Sequence, residues 1–265
     1  MNSKFPWEME VYLKRNSRIG QLAKNNQGTL MKIIEDKGET VVIEFQDSHK
    51  FKIETIYLNF KNRCVKNPYD KTHCNVGYIG TGYFRTVENG EHPQAYIIWN
   101  TMIERCYKES LRDKYPAYYG IVTVCEDWHN YQNFAEWYKN NYYQVGTERM
   151  HLDKDILFPG NKIYSPDTCL LVPQRINMLL LNKPNKRGLP NGISKTKYGY
   201  SAKYNCVNLG IYNTLEEAFL HYTKEKEKKI QEVAQEYRNV IPAKLYTALM
   251  DYRVLLENDK NYIAS

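Results

Sequence analysis

Residues 188–219 read GLPNGISKTKYGYSAKYNCVNLGIYNTLEEAF, and they decide the C-terminal part of the fold. Short runs rich in β-forming residues lie between turn residues, around positions 193–194, 200–204 and 207–210. Runs of this kind, bounded by Gly and Asn, predict strands. Thr214 and Glu217 form a capping-box pattern, because their side chains can satisfy free N–H groups at the start of a helix. The stretch therefore predicts three strands followed by a helix.

The preceding region, residues 96–186, alternates between helical and extended patterns. An amphipathic helix is predicted by apolar residues at three- and four-residue spacing, namely Trp99, Met102, Ile103, Cys106 and Tyr107. Residues 120–125 predict a short strand, and the aromatic residues between 128 and 138 predict a second helix with a buried stripe. Residues 151–181 predict a compact hairpin with its turn at Pro159-Gly160-Asn161, and then a helix that begins at Pro173.

The two ends of the chain have different patterns. Residues 17–60 alternate with the period of a strand between turns at 36–38 and 46–48, which predicts a small antiparallel β-module. Towards the C-terminus, the charged run 224–229 predicts a solvated helix face, and a last helix with Leu245, Leu249, Tyr252 and Leu256 follows Pro242.

The fold class predicted from these patterns is α+β with several modules. The expected segments are an N-terminal β-module (1–66), a linker rich in Gly, Asn and Tyr (67–95), a helical and strand–helix unit (96–186), a sheet-and-helix module (187–232) and C-terminal helices (233–265).

Composition excludes several classes of protein. With 42% hydrophobic residues the chain is typical of globular proteins and too apolar for a disordered one. No apolar run approaches the roughly 18–20 residues of a membrane span, and the N-terminus has no secretory leader, so we expect a cytoplasmic protein that does not enter a membrane. The six cysteines form no CxxC pair, which argues against a zinc ribbon or a disulfide framework.

The charge distribution points to a phosphate-bearing partner. The net charge is +7, and residues 168–215 contain no Asp or Glu. A solvated surface usually mixes both signs of charge, so a long acid-free stretch with many cations predicts a face for a phosphate chain. Its cations are Arg175, Lys183, Lys186, Arg187, Lys195, Lys197 and Lys203.

A second group of residues has the chemistry of a simple nuclease site. A strand, a turn, a strand and a helix can hold one divalent cation if they supply a general base, hard metal ligands and a framing Asn. The candidate catalytic residues are His151, Asp153, Asp155, Asn161 and Asn177, and the candidate ligands for Mg²⁺ or Mn²⁺ are Asp153, Asp155 and Asn177. If the segment is extended, the two aspartates share one face.

An ordered set of motifs runs through residues 96–181. The motifs are Trp99-x-x-Met102-x-x-Arg105-Cys106-Tyr107, Tyr119-Gly120 to Cys125-x-x-Trp128, Phe134, Leu152-Asp153-Lys154-Asp155, Tyr164-Ser165-Pro166-x-x-Cys169 and Ile176-Asn177. This set resembles the HNH-type endonuclease-related proteins of bacteriophages and prophages. The resemblance implies a ββα-metal fold that cuts duplex DNA with one divalent cation.

One position departs from that pattern. Members with clear catalytic motifs have His where Lys154 stands in this sequence. A lysine could replace the imidazole base only if its pKa were lowered by several units. His151 points to the opposite face of an extended strand from Lys154. Whether the chain is an active nuclease therefore stays open.

A second resemblance lies in the stretch quoted first. Gly192-Ile193-Ser194, Tyr200-Ser201-Ala202 and Leu209-Gly210-Ile211-Tyr212-x-Thr214-x-Glu216-Glu217-Ala218-Phe219-x-x-Tyr222 are similar to the APETALA-type DNA-binding domain of plant ethylene-response factors. That family's three-stranded sheet packs on one helix and enters the major groove. The resemblance implies that Lys195, Lys197, Tyr200, Lys203 and Tyr204 face DNA, with the three lysines on related faces. Lysine lacks the bidentate fork that reads guanine, which weakens an expectation of sequence specificity.

Three functional hypotheses remain. The first is a metal-dependent HNH-like endonuclease of phage type, and the second is a DNA-binding or regulatory protein without catalysis on the same modules. The third is a phage protein that inhibits a host nucleic-acid defence enzyme, which the Tyr-rich composition and the N-terminal module would serve. The expected partner is double-stranded DNA in the cytoplasm of a bacterial host cell. A host protein as second partner and an oligomeric state stay open.

Overall fold

Strands and helices are mixed throughout the computed structural model, which describes residues 17–262 and gives the chain an α+β fold. The chain divides into two compact units. The first holds the described residues up to Tyr107 together with His129–Phe134, and the second holds Lys108–Trp128 and the described residues from Ala135 onward. The units are described separately below.

The N-terminal sheet is antiparallel, and its strands lie in chain order. They are β1 (Leu22–Lys24), β2 (Leu30–Asp36), β3 (Thr40–Phe45) and β4 (Lys52–Ile56). The predicted alternation is confirmed, since every second residue of β3 is buried and so are Met31 and Ile33 of β2, before the register shift between Ile33 and Glu35. The short helix α1 (Tyr57–Lys61) follows, and its Phe60 joins the core of this sheet. Turns and isolated bridges then lead to helix α2 (Gln94–Tyr107), which buries Trp99, Met102, Ile103 and Cys106 as predicted.

The strand pairing after α2 differs from the prediction. The strand expected over 120–125 is only β5 (Thr123–Val124), and helix α3 (Tyr131–Asn141) follows a 3-10 turn that contains Trp128. Strand β6 (Met150–Asp153) pairs antiparallel with β8 (Leu170–Pro173). Strand β7 (Ile163–Tyr164), which follows the Pro-Gly-Asn turn, pairs with β5 in parallel. The predicted hairpin is therefore wrong, because β6 takes a partner further along the chain. Helix α4 (Gln174–Leu180) begins one residue after Pro173.

The C-terminal sheet and its helix follow the prediction closely. Strands β9 (Ile193–Thr196), β10 (Gly199–Tyr204) and β11 (Val207–Tyr212) form an antiparallel sheet in the order β11-β10-β9. Helix α5 (Leu215–Tyr237) packs on it, and the capping box is present: Glu217 N–H donates to Thr214 Oγ1, and Thr214 N–H donates to Glu217 Oε2. Gly192 has φ +82°, and a Cβ there would overlap the Tyr222 ring of α5.

Helix α5 runs on through residues 232 and 233, where a segment boundary was expected, and it packs against α6 (Ala243–Met250). One apolar cluster joins both helices to β8 and α4 within the second unit. Helix α6 ends at Met250, so Leu256 lies beyond it, in a 3-10 turn (Leu256–Asn258). The run 224–229 is not wholly solvated, because Lys226 is buried.

Candidate functional site

His151 and Asn177 are brought together by β6 and α4. Asn177 Nδ2 lies 2.8 Å from His151 Nδ1, and both residues are half-buried. In this orientation Nδ1 accepts the hydrogen bond, so the proton of a neutral ring is on Nε2. His151 is opposite Val172 in the β6–β8 ladder, which places its ring beside the start of the helix. The pair is an imidazole in contact with an amide, whereas the nuclease hypothesis expected Asn177 as a metal ligand and Asn161 as the framing residue.

Asp153 ends the same strand and stabilises the turn that follows. Its Oδ1 accepts the backbone N–H groups of Asp155 and Ile156, each at 2.8 Å. Burial raises the pKa of its carboxyl group above the usual value, and the nearby charge of Asp155 adds to this effect. The carboxyl group of Asp153 therefore organises the backbone of the turn.

Lys154 is a buried ion-paired residue at the position where the resemblance expects histidine. Its side chain is 7% exposed, and Nζ donates to Asp155 Oδ1 at 2.7 Å and to the Asn161 carbonyl at 2.6 Å. Asn161 donates from Nδ2 to the carbonyls of Lys154 and Ile163 at 2.9 and 2.7 Å. Lys154, Asp155 and Asn161 thus close the loop between β6 and β7, and the lysine ammonium has no free lone pair to act as a base.

The predicted catalytic set therefore divides in two. His151 and Asn177 are in contact, whereas Asp155 and Asn161 hold the loop. The expectation that Asp153 and Asp155 share a strand face is wrong, because β6 ends at Asp153 and the chain then turns. Within residues 17–262 no three His, Cys, Asp or Glu side chains form a group that could hold a metal ion. Asp155 is ion-paired with Lys154, and Asp153 Oδ1 is bonded to the turn, so both predicted carboxylate ligands make contacts within the protein.

Arg175 differs from the other cations of the acid-free stretch. Its Nη2 lies 2.6 Å from Glu236 Oε2, and its guanidinium carbon lies 5.5 Å from the centre of the Tyr237 ring. A carboxylate from α5 therefore compensates the charge of Arg175. The prediction that Arg175 is available to DNA is weakened for this reason.

The other cations of the stretch are exposed and uncompensated. None of them forms an ion pair with any residue of the described chain, 17–262. Half of them lie in the loop between α4 and β9, and the others lie on β9, the β9–β10 turn and β10. They are Lys183, Lys186, Arg187, Lys195, Lys197 and Lys203.

Tyr200 and Tyr204 were expected to face DNA, but both pack towards helix α5. They contact the apolar cluster that holds Ala202 and Tyr222, and the Tyr204 and Tyr222 ring centres are 5.8 Å apart. Burial raises the pKa of the Tyr204 hydroxyl. These two tyrosines belong to the core of the module, and the exposed aromatic residue of the sheet is Tyr198, in the β9–β10 turn.

The strand register also corrects the expectation for the lysines. Lys195 is directly opposite Tyr200, and directly paired residues share a face, so Lys195 is on the helix side of the sheet. Ala202 faces helix α5, and Lys203 is the next residue of the strand. The Lys203 side chain therefore lies on the face of the sheet opposite α5, which we name the free face. The lysines therefore do not form one stripe, and Lys203 is the cation of the free face.

A contact near the C-terminus joins the end of the described chain to the loop before β9. Residues 258–261 hydrogen-bond to the loop that contains Lys183, Lys186 and Arg187, and Asp259 and Asn261 are buried there. No periodic pattern indicates this contact, because it joins segments far apart in the chain.

Comparison with known proteins gives no relative: no family model, no curated protein and no solved structure matches this chain. Among residues 17–262 there is no helix that combines the length and the apolar character needed to cross a membrane.

Proposed function

We propose that this protein binds duplex DNA through the cations between residues 183 and 203. One observation carries the proposal: six exposed cations lie in a stretch without Asp or Glu, and none is paired within residues 17–262. Unpaired cations release the counterions of a phosphate chain when they bind it, which gives affinity without reading the sequence.

The modular interpretation supports the same conclusion. β9–β11 with α5 form a three-stranded sheet on one helix, the arrangement that the ethylene-response-factor resemblance implies, and on this proposal β6, β8 and α4 would be the strands and helix of the HNH-like unit. On this proposal the free face of the sheet, with Lys203, meets the groove, and the loop before β9 contacts the backbone. Arg187 is the one unpaired guanidinium of the set, so base-specific contacts are few and binding depends mainly on phosphates.

The test is a titration of a labelled duplex at two salt concentrations, with and without chelator. The triple variant Lys183→Ala, Lys186→Ala, Arg187→Ala should bind at least about tenfold more weakly, with a lower salt dependence. A matched control removes three cations that are already paired, in Lys37→Ala, Lys52→Ala, Lys229→Ala. Equal losses in both variants would mean that net charge alone matters and that the loop is not the binding surface.

Metal-dependent cleavage of DNA is a second candidate, carried by the contact between His151 and Asn177. The test is incubation with supercoiled plasmid and Mg²⁺ or Mn²⁺. Nicking that is lost in His151→Ala and Asn177→Ala supports a nuclease. An intact plasmid under both metals, with duplex binding retained, supports the non-catalytic DNA-binding protein.

A further inference from the structure

The chain segment after the last 3-10 turn is bonded to the loop that precedes the C-terminal sheet. We name residues 258–261 the C-terminal strap and residues 182–191 the basic loop. Asn261 Oδ1 accepts the Asn185 N–H at 2.6 Å, and Asn261 Nδ2 donates to the Lys183 carbonyl at 3.1 Å. Asn182 Nδ2 donates to the Asn258 carbonyl at 3.3 Å. The strap thus bonds to the loop backbone at the Lys183 carbonyl and the Asn185 N–H, and to the side chain of Asn182.

Asp259 is the centre of this contact. Its Oδ2 accepts the Asn191 N–H at 3.1 Å, while its Oδ1 accepts the backbone N–H and the side-chain amide of Asn261 at 2.8 and 3.0 Å. Asp259 and Asn261 are 8% and 7% exposed. A buried carboxylate and a buried amide are costly unless their hydrogen bonds are made, so this pair favours one geometry of the loop strongly over others.

The basic loop is also bonded within itself. Asn185 Oδ1 accepts the Arg187 N–H at 2.8 Å, and Asn185 Nδ2 donates to the Leu189 carbonyl at 2.9 Å. Asn191 Nδ2 donates to the Lys183 carbonyl at 2.9 Å. The backbone of the loop is therefore fixed by asparagine side chains and by the strap, although the loop has no helix or strand of its own.

The cationic side chains of the basic loop take no part in these hydrogen bonds. Lys183, Lys186 and Arg187 are exposed and make no ion pair within residues 17–262, while the groups that hold their backbone are buried or half-buried. Ordering a loop on binding costs free energy for each residue that is fixed. A loop that is already ordered in the free protein avoids that cost when it meets phosphates.

From these observations we propose that Asp259 and Asn261 are positioning residues: the C-terminal strap holds the basic loop in the conformation in which its three cations bind a phosphate backbone. The proposal rests on the proposed function, since it concerns the same cations. It assigns to the strap an effect on nucleic-acid affinity that acts entirely through Lys183, Lys186 and Arg187.

The experiment is a double-mutant cycle on the full chain with a labelled DNA duplex as the probe. Asn261→Ala should weaken binding about 5–10-fold and lower the slope of log affinity against log salt, since fewer phosphates are then contacted together. The matched control is Asn239→Ala, the same substitution at an exposed asparagine after α5, which should bind like the wild type.

The decisive comparison adds Asn261→Ala to the loop triple variant of Lys183, Lys186 and Arg187. If the strap acts through these cations, it should cause no further loss there. An additive loss, or wild-type affinity of Asn261→Ala, would overturn the proposal. A wild-type protein without affinity for the duplex would instead refute the proposed function itself.

Two further measurements test the proposal if the Asn261→Ala variant fails to fold. Asn182→Ala removes the hydrogen bond that a loop side chain donates to the strap, at the Asn258 carbonyl, and should weaken binding in the same direction as Asn261→Ala. In the wild-type chain, the amides of Asn185 and Asn191 should exchange hydrogen slowly, because Asn261 and Asp259 accept from them. Exchange at the rate of an open chain would show that the strap does not order the loop.

Discussion

The N-terminal sheet β1–β4 and the C-terminal sheet β9–β11 both expose lysines, but ion pairs with carboxylates are found for Lys37 and Lys52 of the first sheet and for none of the lysines of the second within residues 17–262. Lys52 Nζ lies 3.3 Å from Glu44 Oε2 on the neighbouring strand, and Lys37 Nζ lies 2.7 Å from Glu54 Oε2. The Lys37 ammonium lowers the pKa of the Glu54 carboxyl group. In the C-terminal sheet, Lys203 has no such partner within residues 17–262.

The comparison shows that the number of cations does not identify a phosphate-binding surface. A lysine beside a glutamate presents little net field, and its removal would also leave a carboxylate uncompensated. An unpaired lysine on a surface without acids keeps its field and can replace a counterion of DNA. Pairing thus separates Lys37 and Lys52 from Lys203, while Lys24 and Lys32 of the N-terminal sheet make no ion pair within residues 17–262.

The largest effect is expected when all the unpaired cations between 183 and 203 are replaced by alanine. Affinity for a duplex should fall on the order of 10²–10³-fold at low salt, and the salt slope should fall by up to about five, at about 0.9 per phosphate contact. The check is fluorescence anisotropy over a salt series. Affinity within twofold of the wild type would remove the distinction between the two sheets.

A second prediction concerns the two sides of the C-terminal sheet. Tyr204→Ala should lower the free energy of unfolding by about 2 kcal/mol, because its ring packs on the cluster with Tyr222. Tyr198→Ala should change stability little, because Tyr198 is 69% exposed. Urea denaturation measures both. If Tyr198→Ala lowered the free energy of unfolding more than Tyr204→Ala, Tyr204 would lie on the free face, as the resemblance implies.

Two aspartates should respond to pH in opposite directions. Hydrogen bonds from Arg18 hold the pKa of Asp36 well below its usual value, so its stabilisation is present above pH 3.8 and is lost as pH falls through the lowered pKa. The pKa of Asp153 is raised, so its contribution is full below pH 3.8 and is lost as pH rises through the raised value.

The substitutions Asp36→Asn and Asp153→Asn test this difference by thermal unfolding at pH 7 and pH 4. Asp36→Asn should lower Tm at pH 7 and at pH 4 alike, because the lowered pKa keeps the Asp36 carboxylate ionised at both values. Asp153→Asn keeps the Oδ1 acceptor for the turn and removes the buried charge, so it should raise Tm at pH 7 and lose that advantage in acid. A lower Tm of Asp153→Asn at pH 7 would contradict the assigned pKa direction.

The smallest effect is expected when the carboxylate partners of the paired lysines are removed. Glu44→Gln with Glu54→Gln leaves Lys52 without its carboxylate partner and leaves Lys37 with only the longer contact to Glu35 at 3.8 Å, and weak duplex affinity should rise about two- to fivefold at low salt. The matched control, Glu216→Gln with Glu257→Gln, removes the same charge from exposed glutamates that make no ion pair within the described chain. An equal gain in both variants would attribute the change to net charge instead of pairing.

Local signals explain what was predicted correctly. The capping box of Thr214 and Glu217 involves neighbouring residues, and the alternation of β2 and β3 repeats within a few positions. The pairing of β6 with β8 was missed because the chain first passes through the loop held by Lys154 and Asn161. Periodicity gives the faces of a strand but does not identify its partner.

In the candidate site, too, the sequence indicates residue types but not their tertiary partners. His151 and Asn177 were named from residue type, and their contact at 2.8 Å follows from the packing of β6 beside α4, which residue type does not indicate. Residue type did not indicate that Lys154 is buried and paired with Asp155, because a lysine next to an aspartate is usually solvated. The bulge between Ala202 and Lys203 and the strand register determine which side chains reach the free face.

By itself, the sequence determined the strands and helix of the C-terminal module and the absence of acids from residues 168–215, because both are properties of neighbouring residues. Only the tertiary structure decided that Arg175 is compensated by Glu236 and that Asp259 and Asn261 reach the basic loop. These contacts join residues far apart in the chain. Their formation depends on how strands and helices pack, and no local pattern records it.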